Sequence, residues 1–343
     1  MREPAVIHGL QKLASLKITP VAMLALGAGV FVSYRSGDPA AVWVMAPLSV
    51  LVVNLLCAIL VTPRFRRDAG LLMFHICLLA VVTLAAYGYL GQFRGRVEVA
   101  VGQQVEPDMI TAVARGVLHD GDALHRLTFV QETFRVEYTQ GLFRTRTLSR
   151  VRLAGGDERA FGDNVPLALR GYRFYTSSNK GYSALVRWAG ATGGQAVGVV
   201  NFPSYPMHDW NQVSSWTAPD GSALNLALQL GDKPPQDKAW VLDSSTQRHA
   251  QLLIDIDGQR IRLREGDAVP VSDGVLTFLE TRMWMGYTVY FFPMLNWLLA
   301  FSLVGVLALG WFYLRRFGVL QKRPLIGGRS AIRAGRHVDS LVR

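Results

Sequence analysis

The sequence predicts an α+β membrane protein: four transmembrane helices, with a large β-rich extracytoplasmic domain between the third and the fourth. Three observations predict it. Four apolar runs, Thr19–Tyr34, Ala40–Thr62, Ala69–Gly91 and Gly286–Leu314, contain no Lys, Arg, Asp or Glu. The excess of basic residues sits at the ends of those runs that fall on one side. The stretch between the third and fourth runs alternates apolar and polar residues, as half-buried strands do.

Taken in order, the first run becomes long enough to cross a hydrocarbon core of about 30 Å if it starts near Leu13 or Leu16; the other three are long enough as they stand, at about 1.5 Å per helical residue. It leads through a brief Arg35–Pro39 loop straight into the second run and shows no small-x-small cleavage site, so it reads as a retained span and not a cleaved signal peptide. The expected division is residues 1–91 for an N-terminal flank and three spans, 92–284 for the β-rich domain, 285–314 for the fourth span and 315–343 for a basic tail. The 193 residues from Gln92 to Trp284 suffice for one domain with its own core, or two small lobes.

The charge fixes the orientation. The N-terminus, the link between the second and third runs (Arg64, Arg66, Arg67) and the tail after Leu314 hold 14 basic residues against three acids, Glu3, Asp68 and Asp339. That difference equals the whole net charge of +11, which leaves the remainder of the chain neutral. By the positive-inside rule both termini are cytoplasmic. The basic character therefore reports topology, and a nucleic-acid-binding reading, which needs a basic face on a folded domain, loses its support. The tail can meet anionic lipid headgroups without any specific ligand.

Within 92–284 the alternating patches Arg96–Val101, Arg126–Tyr138 and Arg144–Leu153 predict strands. Leu252–Leu263 carries Asp257-Gly258 between two alternating arms, a hairpin signal. The last strand, around Val275–Arg282, feeds the fourth span. Both cysteines, Cys57 and Cys77, fall inside membrane runs, so the β-rich domain has neither a disulfide nor a thiol nucleophile, and the chain has no C-x-x-C-H. No nucleophile elbow, H-E-x-x-H or phosphate loop occurs, so no catalytic residues are assigned. His119, His125, His208 and His249 lack metal-ligand spacing and read as core or surface residues. Tyr287, Tyr290, Phe291, Phe292 and Trp297 read as an aromatic belt, with Trp311 and Tyr313 at the opposite interface. Pro293 and Asn296 read as a kink or contact in the fourth span.

Leu13-Ala-Ser-Leu-Lys17, Asn54-Leu-Leu-Cys57, His75, Phe93-Arg-Gly95, Asn164-Val-Pro-Leu167, Gly171-Tyr-Arg-Phe-Tyr175 and Gly181-Tyr-Ser183, in that order on this topology, resemble the ResB family of system II cytochrome c biogenesis proteins over roughly residues 10–320. The resemblance implies a subunit of the bacterial inner membrane with a periplasmic domain. It would handle haem b together with a CcsA-like partner for attachment to apocytochrome c. No segment here resembles that partner's tryptophan-rich haem-presenting loop, and the eight tryptophans are scattered singly.

His75 carries the candidate site. An intramembrane histidine needs a partner for its ring, and a neutral ring nitrogen is a good haem ligand. Six residues from Ala69 place it about 9 Å into the membrane. Asn54 and Cys57 enter from the other direction at comparable depth and are expected as its neighbours. On the residues alone, a haem axial ligand and a histidine that merely packs against a neighbouring helix stand level; the resemblance implies the ligand, with haem iron as the only metal. Cys77, two residues on, points to another face of the helix. Three readings follow: a haem-handling assembly subunit, a non-catalytic scaffold of a respiratory or multihaem complex, and a quinol-linked cytochrome b-type carrier. The last is weakened by the single membrane histidine, since a dihaem carrier needs pairs.

Overall fold

The computed structural model describes residues 5–36, 41–191, 193–231, 233–246, 249–256 and 258–317. Four helices are long and apolar enough to cross a membrane, so the chain is a multi-pass membrane protein of α+β class. A short helix α1 (Ala5–Leu13) precedes α2 (Ile18–Ser36), so the first span begins at Ile18, after a turn around Ser15, and does not extend back to Leu13. After α3 (Ala41–Val61) comes a one-turn helix, α4 (Pro63–Arg67), whose proline occupies a first-turn position where a missing N–H costs nothing. Asp68 then caps α5 (Ala69–Gly91), its Oδ1 accepting from the Gly70 and Leu71 amides at 3.1 and 3.3 Å. The principal helix contacts run α2 to α3, α3 to α5 and α5 to the last helix, α6 (Leu295–Arg316), an open row. Small residues let the backbones approach: a Cβ on Gly305 would lie 3.2 Å from that of Cys77, and one on Gly70 the same distance from the Ala308 carbonyl.

Between α5 and α6 the chain is β. The strands are β1 (Phe93–Ala100), β2 (Thr111–Arg115), β3 (Phe129–Tyr138), β4 (Arg144–Leu153), β5 (Glu158–Gly162), β6 (Leu167–Leu169), β7 (Tyr172–Gly190) and β8 (Gln195–Asn201). They continue with β9 (Val213–Thr217), β10 (Ala223–Gln229), β11 (Trp240–Asp243), β12 (Gln251–Ile256), β13 (Gln259–Leu263), β14 (Ala268–Val271) and β15 (Gly274–Phe291). The predicted strands are present, and Gly258 takes φ +79° in the β12–β13 turn; Asp257 of that turn lies outside the described residues.

The frame is the antiparallel pair β7 and β15, 19 and 18 residues long, running about 60 Å away from the spans. Around it a seven-stranded sheet is ordered β2-β1-β15-β7-β6, with β14 also on β15 and β8 on β7. The half of this pair near the spans packs against the sheet β11-β3-β4-β5, through Phe129 on Phe174 and Phe161 on Tyr287. The far half packs against the sheet β13-β12-β10-β9, through Trp188 on Trp216.

One boundary differs from the sequence reading. The charge-free run Gly286–Leu314 is not all span: its first six residues complete β15, and α6 begins at Leu295, so the β domain ends at Phe291 and not at residue 284. Tyr287 and Val289 are apolar because they face the sandwich core, not lipid, and absence of charge does not distinguish the two surroundings. Tyr287 accordingly leaves the aromatic belt: it is 1 % exposed, with its hydroxyl on Ser149 and Gln131. Arg2, Glu3, Lys322, Arg323, Arg329, Arg333, Arg336, Asp339 and Arg343, on which much of the charge argument rests, lie outside the described residues.

Candidate functional site

His75 sits on α5 one turn beyond Leu71, and its Nδ1 lies 2.7 Å from the Leu71 carbonyl oxygen. A carbonyl only accepts, so Nδ1 carries the proton and Nε2 keeps the lone pair. The ring is held from two further sides. Phe65 of α4 lies against it with centroids 4.2 Å apart, and Phe74 meets it edge-on at 5.1 Å. The half-buried ring thus has a fixed tautomer, a fixed orientation and, among the described residues, no hydrogen bond to Nε2. Donation of the non-ligating ring N–H to a backbone carbonyl is the arrangement metal-binding histidines use. His75 is the one histidine in the described spans, so the residues present would fit haem only if a second ligand came from elsewhere. Among the described residues no group of three or more His, Cys, Asp or Glu is placed to hold a bare metal ion.

Among the described residues, no hydrogen bond joins His75 to Asn54 or Cys57. Asn54 is buried, but its amide serves α1 and α2: Nδ2 donates to the carbonyls of Leu13 (2.6 Å) and Ser15 (3.1 Å), and Oδ1 accepts from the Thr19 hydroxyl (2.9 Å). It satisfies carbonyls freed where α1 ends, a need that grows in an apolar medium. Two motifs read separately in the sequence, around Leu13 and around Asn54, are therefore one structural joint. Cys57, one turn on, is buried on the same side as Asn54 and has no disulfide partner. Cys77 packs against Gly305 of α6.

A second cluster, not singled out in the sequence, lies where α5 enters the β domain. His119 is 6 % exposed, stacked on Phe93 with centroids 4.9 Å apart, edge-on to Phe291, and hydrogen-bonded through Nε2 to the Tyr172 hydroxyl at 2.7 Å. Its Nδ1 is buried without a hydrogen-bond partner. Burial lowers its pKa, the nearby Arg115 adds to that, and Asp120 opposes it. The core reading of His119 holds, yet the cluster explains motif residues: Phe93 and Tyr172 are two of its walls. The loop leading to it closes the C-terminus of α5, the Gly116 and Leu118 amides donating to the carbonyls of Gln92 and Leu90 at 2.8 Å each. A Cβ at Gly116 would overlap the Leu90 carbonyl, so only glycine fits there. The other outer histidines remain outside any cluster; His249 pairs with Glu265 at 2.8 Å on the surface.

No curated protein matches the chain. Residues 63–203 match the model of the ResB-like family, a stretch that contains α4, α5 with His75, and the β domain through β8. The motifs around Leu13 and Asn54 fall outside the match, whereas Phe93–Gly95, Asn164–Leu167, Gly171–Tyr175 and Gly181–Ser183 fall inside it. Over residues 63–203, this multi-pass membrane protein is similar to the ResB-like family.

Proposed function

We propose that this chain is the haem-handling subunit of a two-protein machine that attaches haem to apocytochrome c on the far side of a bacterial inner membrane. At the level of the family, it is a cytochrome c biogenesis-type membrane subunit. Haem enters this reading as cargo, bound through iron and passed on to cysteine thiols of the client.

The observation that carries the reading is the His75 ring, with Nδ1 committed to the Leu71 carbonyl and Nε2 left free. Phe65 and Phe74 restrict its rotation, so the lone pair needs little reorganisation to bind. The second axial ligand comes from a CcsA-like partner; the open row of helices leaves flat faces on which such a partner can pack. The β domain faces the periplasm, with both termini in the cytoplasm, and the Phe93–His119–Tyr172 cluster fixes the domain to the end of α5.

The scaffold reading draws on the same site. The bond to Leu71 and the Phe65 contact satisfy much of the ring without any ligand. The two readings part in an absorbance spectrum of the chain purified with a CcsA-like subunit. On the haem reading the wild-type complex shows a low-spin b-type spectrum, and His75→Ala loses or shifts it. An assembled His75→Ala complex with an unchanged spectrum rejects the ligand role and leaves the scaffold.

A further inference from the structure

Where the β domain meets the fourth span, a cavity of about 600 Å³ opens between the outward face of the seven-stranded sheet and the start of α6, lined by Gly171, Arg173, Tyr175, Tyr290, Pro293 and Asn296 among others. The sheet register builds its chemistry. Phe93, Tyr172 and Phe174 turn into the core, so Arg94 and Arg173 project from the opposite face. Arg94 pairs with Tyr290, and Tyr290 with Arg173, giving one cross-strand row of arginine, tyrosine, arginine. The two arginine backbones stand about 10 Å apart, two strand spacings. Arg94 lies over the Tyr290 ring, 5.5 Å from its centroid. Among the described residues, neither the Arg94 nor the Arg173 side chain has a carboxylate or a hydrogen-bond partner.

A third cation stands at the same end. Leu169 and Tyr172 are joined by the two-residue turn Arg170-Gly171, in which both residues take positive φ, +49° and +87°. Such turns favour Asn, Asp or Gly at the first position, and a side chain as long as arginine is disfavoured there. Arg170 is exposed, and Gly171 of the same turn lines the cavity. Below the cavity, α6 presents Trp297, Leu299 and Leu303, each at least 60 % exposed and continuous with the membrane-spanning surface. Cations and tyrosines directly above a lipid-facing helix match one kind of molecule, an amphiphile with an anionic head.

We propose that this cavity binds the headgroup phosphate of an anionic phospholipid from the leaflet on the domain's side, its acyl chains lying along α6. A zwitterionic lipid would bring a second cation beside Arg173, which lines the cavity, and near Arg94 and Arg170, which adjoin its lining residues Tyr290 and Gly171, and this disfavours it.

The test uses the full chain in nanodiscs containing phosphatidylcholine and phosphatidylglycerol, with bound lipid read by native mass spectrometry. The wild type should retain phosphatidylglycerol at least tenfold over phosphatidylcholine. Arg94→Gln/Arg173→Gln should bring that ratio to within twofold of unity, while Arg187→Gln, on the exposed far half of β7, keeps it. Equal retention of both lipids by the wild type, or enrichment that survives the double substitution, overturns the proposal. So does displacement of the lipid by millimolar inorganic phosphate, which would mark a free-anion site, or by haem, which would mark a propionate site. Should the double variant fail to fold, Arg170→Asn decides, because it relieves the turn: the enrichment should fall at least threefold with the melting temperature held or raised, and unchanged enrichment overturns the proposal.

Discussion

The Lys180 ammonium is only 4 % exposed, in the core beside the β7–β15 bulge; it donates to the Ser178 carbonyl at 2.9 Å and lies 5.4 Å from the centre of the Tyr138 ring. Burial pulls its pKa down from the usual 10.5 to about 8; Arg144 contributes in the same direction and Asp163 opposes. The unfolded chain therefore binds more protons than the folded one between pH 8 and 10.5, and stability rises with pH across that window. Below pH 8 the full cost of the buried charge is present. Lys180→Met keeps the volume and removes the charge, so it should raise stability at pH 7 by about 1–2 kcal/mol. Thermal melts of the two proteins should differ at pH 7 and converge by pH 10.5; a variant less stable at pH 7 would show that the carbonyl bond and the aromatic contact outweigh the desolvation. His75 and Lys180 illustrate what residue type alone reveals. A histidine inside a charge-free run is conspicuous by where it stands, whereas Lys180 in Ser-Asn-Lys-Gly-Tyr reads as an ordinary surface lysine until the strand register turns it inward.

At the scale of elements, the spans were legible wherever lipid was the only reason for lacking charge, as in α3 and α5. They were misread where a sandwich core supplied a second reason, as in residues 286–291. The partners of Asn54 were also hidden, because they are backbone carbonyls at Leu13 and Ser15 and leave no mark in side-chain type. Close helix contact is the other element-scale feature. Gly29 of α2 lies so near α3 that a Cβ would overlap the Trp43 carbonyl oxygen, which is backbone and has nowhere to go. Gly29→Val should push the two helices apart and cost about 1–3 kcal/mol. In detergent melts its midpoint should drop by several degrees, whereas Gly27→Val, where a Cβ meets nothing within 4 Å, should fall much less. Equal losses at both positions would point to helix propensity and not to packing.

At the scale of the whole molecule, one long strand pair ties the core of the β domain to the mouth of the spans, so the domain is held by β1 after α5 and by β15 before α6. This gives a direct check of the revised boundary and of the orientation. Thr288→Cys, within the charge-free run, should react in intact cells with a maleimide that cannot cross the inner membrane, and Leu299→Cys on α6 should not. Labelling of both or of neither would reject the β15–α6 boundary or the periplasmic placement. The central claim is that the His75 Nε2, freed by the bond from Nδ1 to Leu71, binds haem on its way to a cytochrome. The most direct measurement is covalent haem on a reporter cytochrome c in cells whose only copy of this subunit is His75→Ala, with and without imidazole in the medium. The account predicts a loss of at least tenfold in haem-stained cytochrome at unchanged subunit level, partly restored by imidazole filling the vacant axial position. Wild-type cytochrome levels in the variant without imidazole would contradict it.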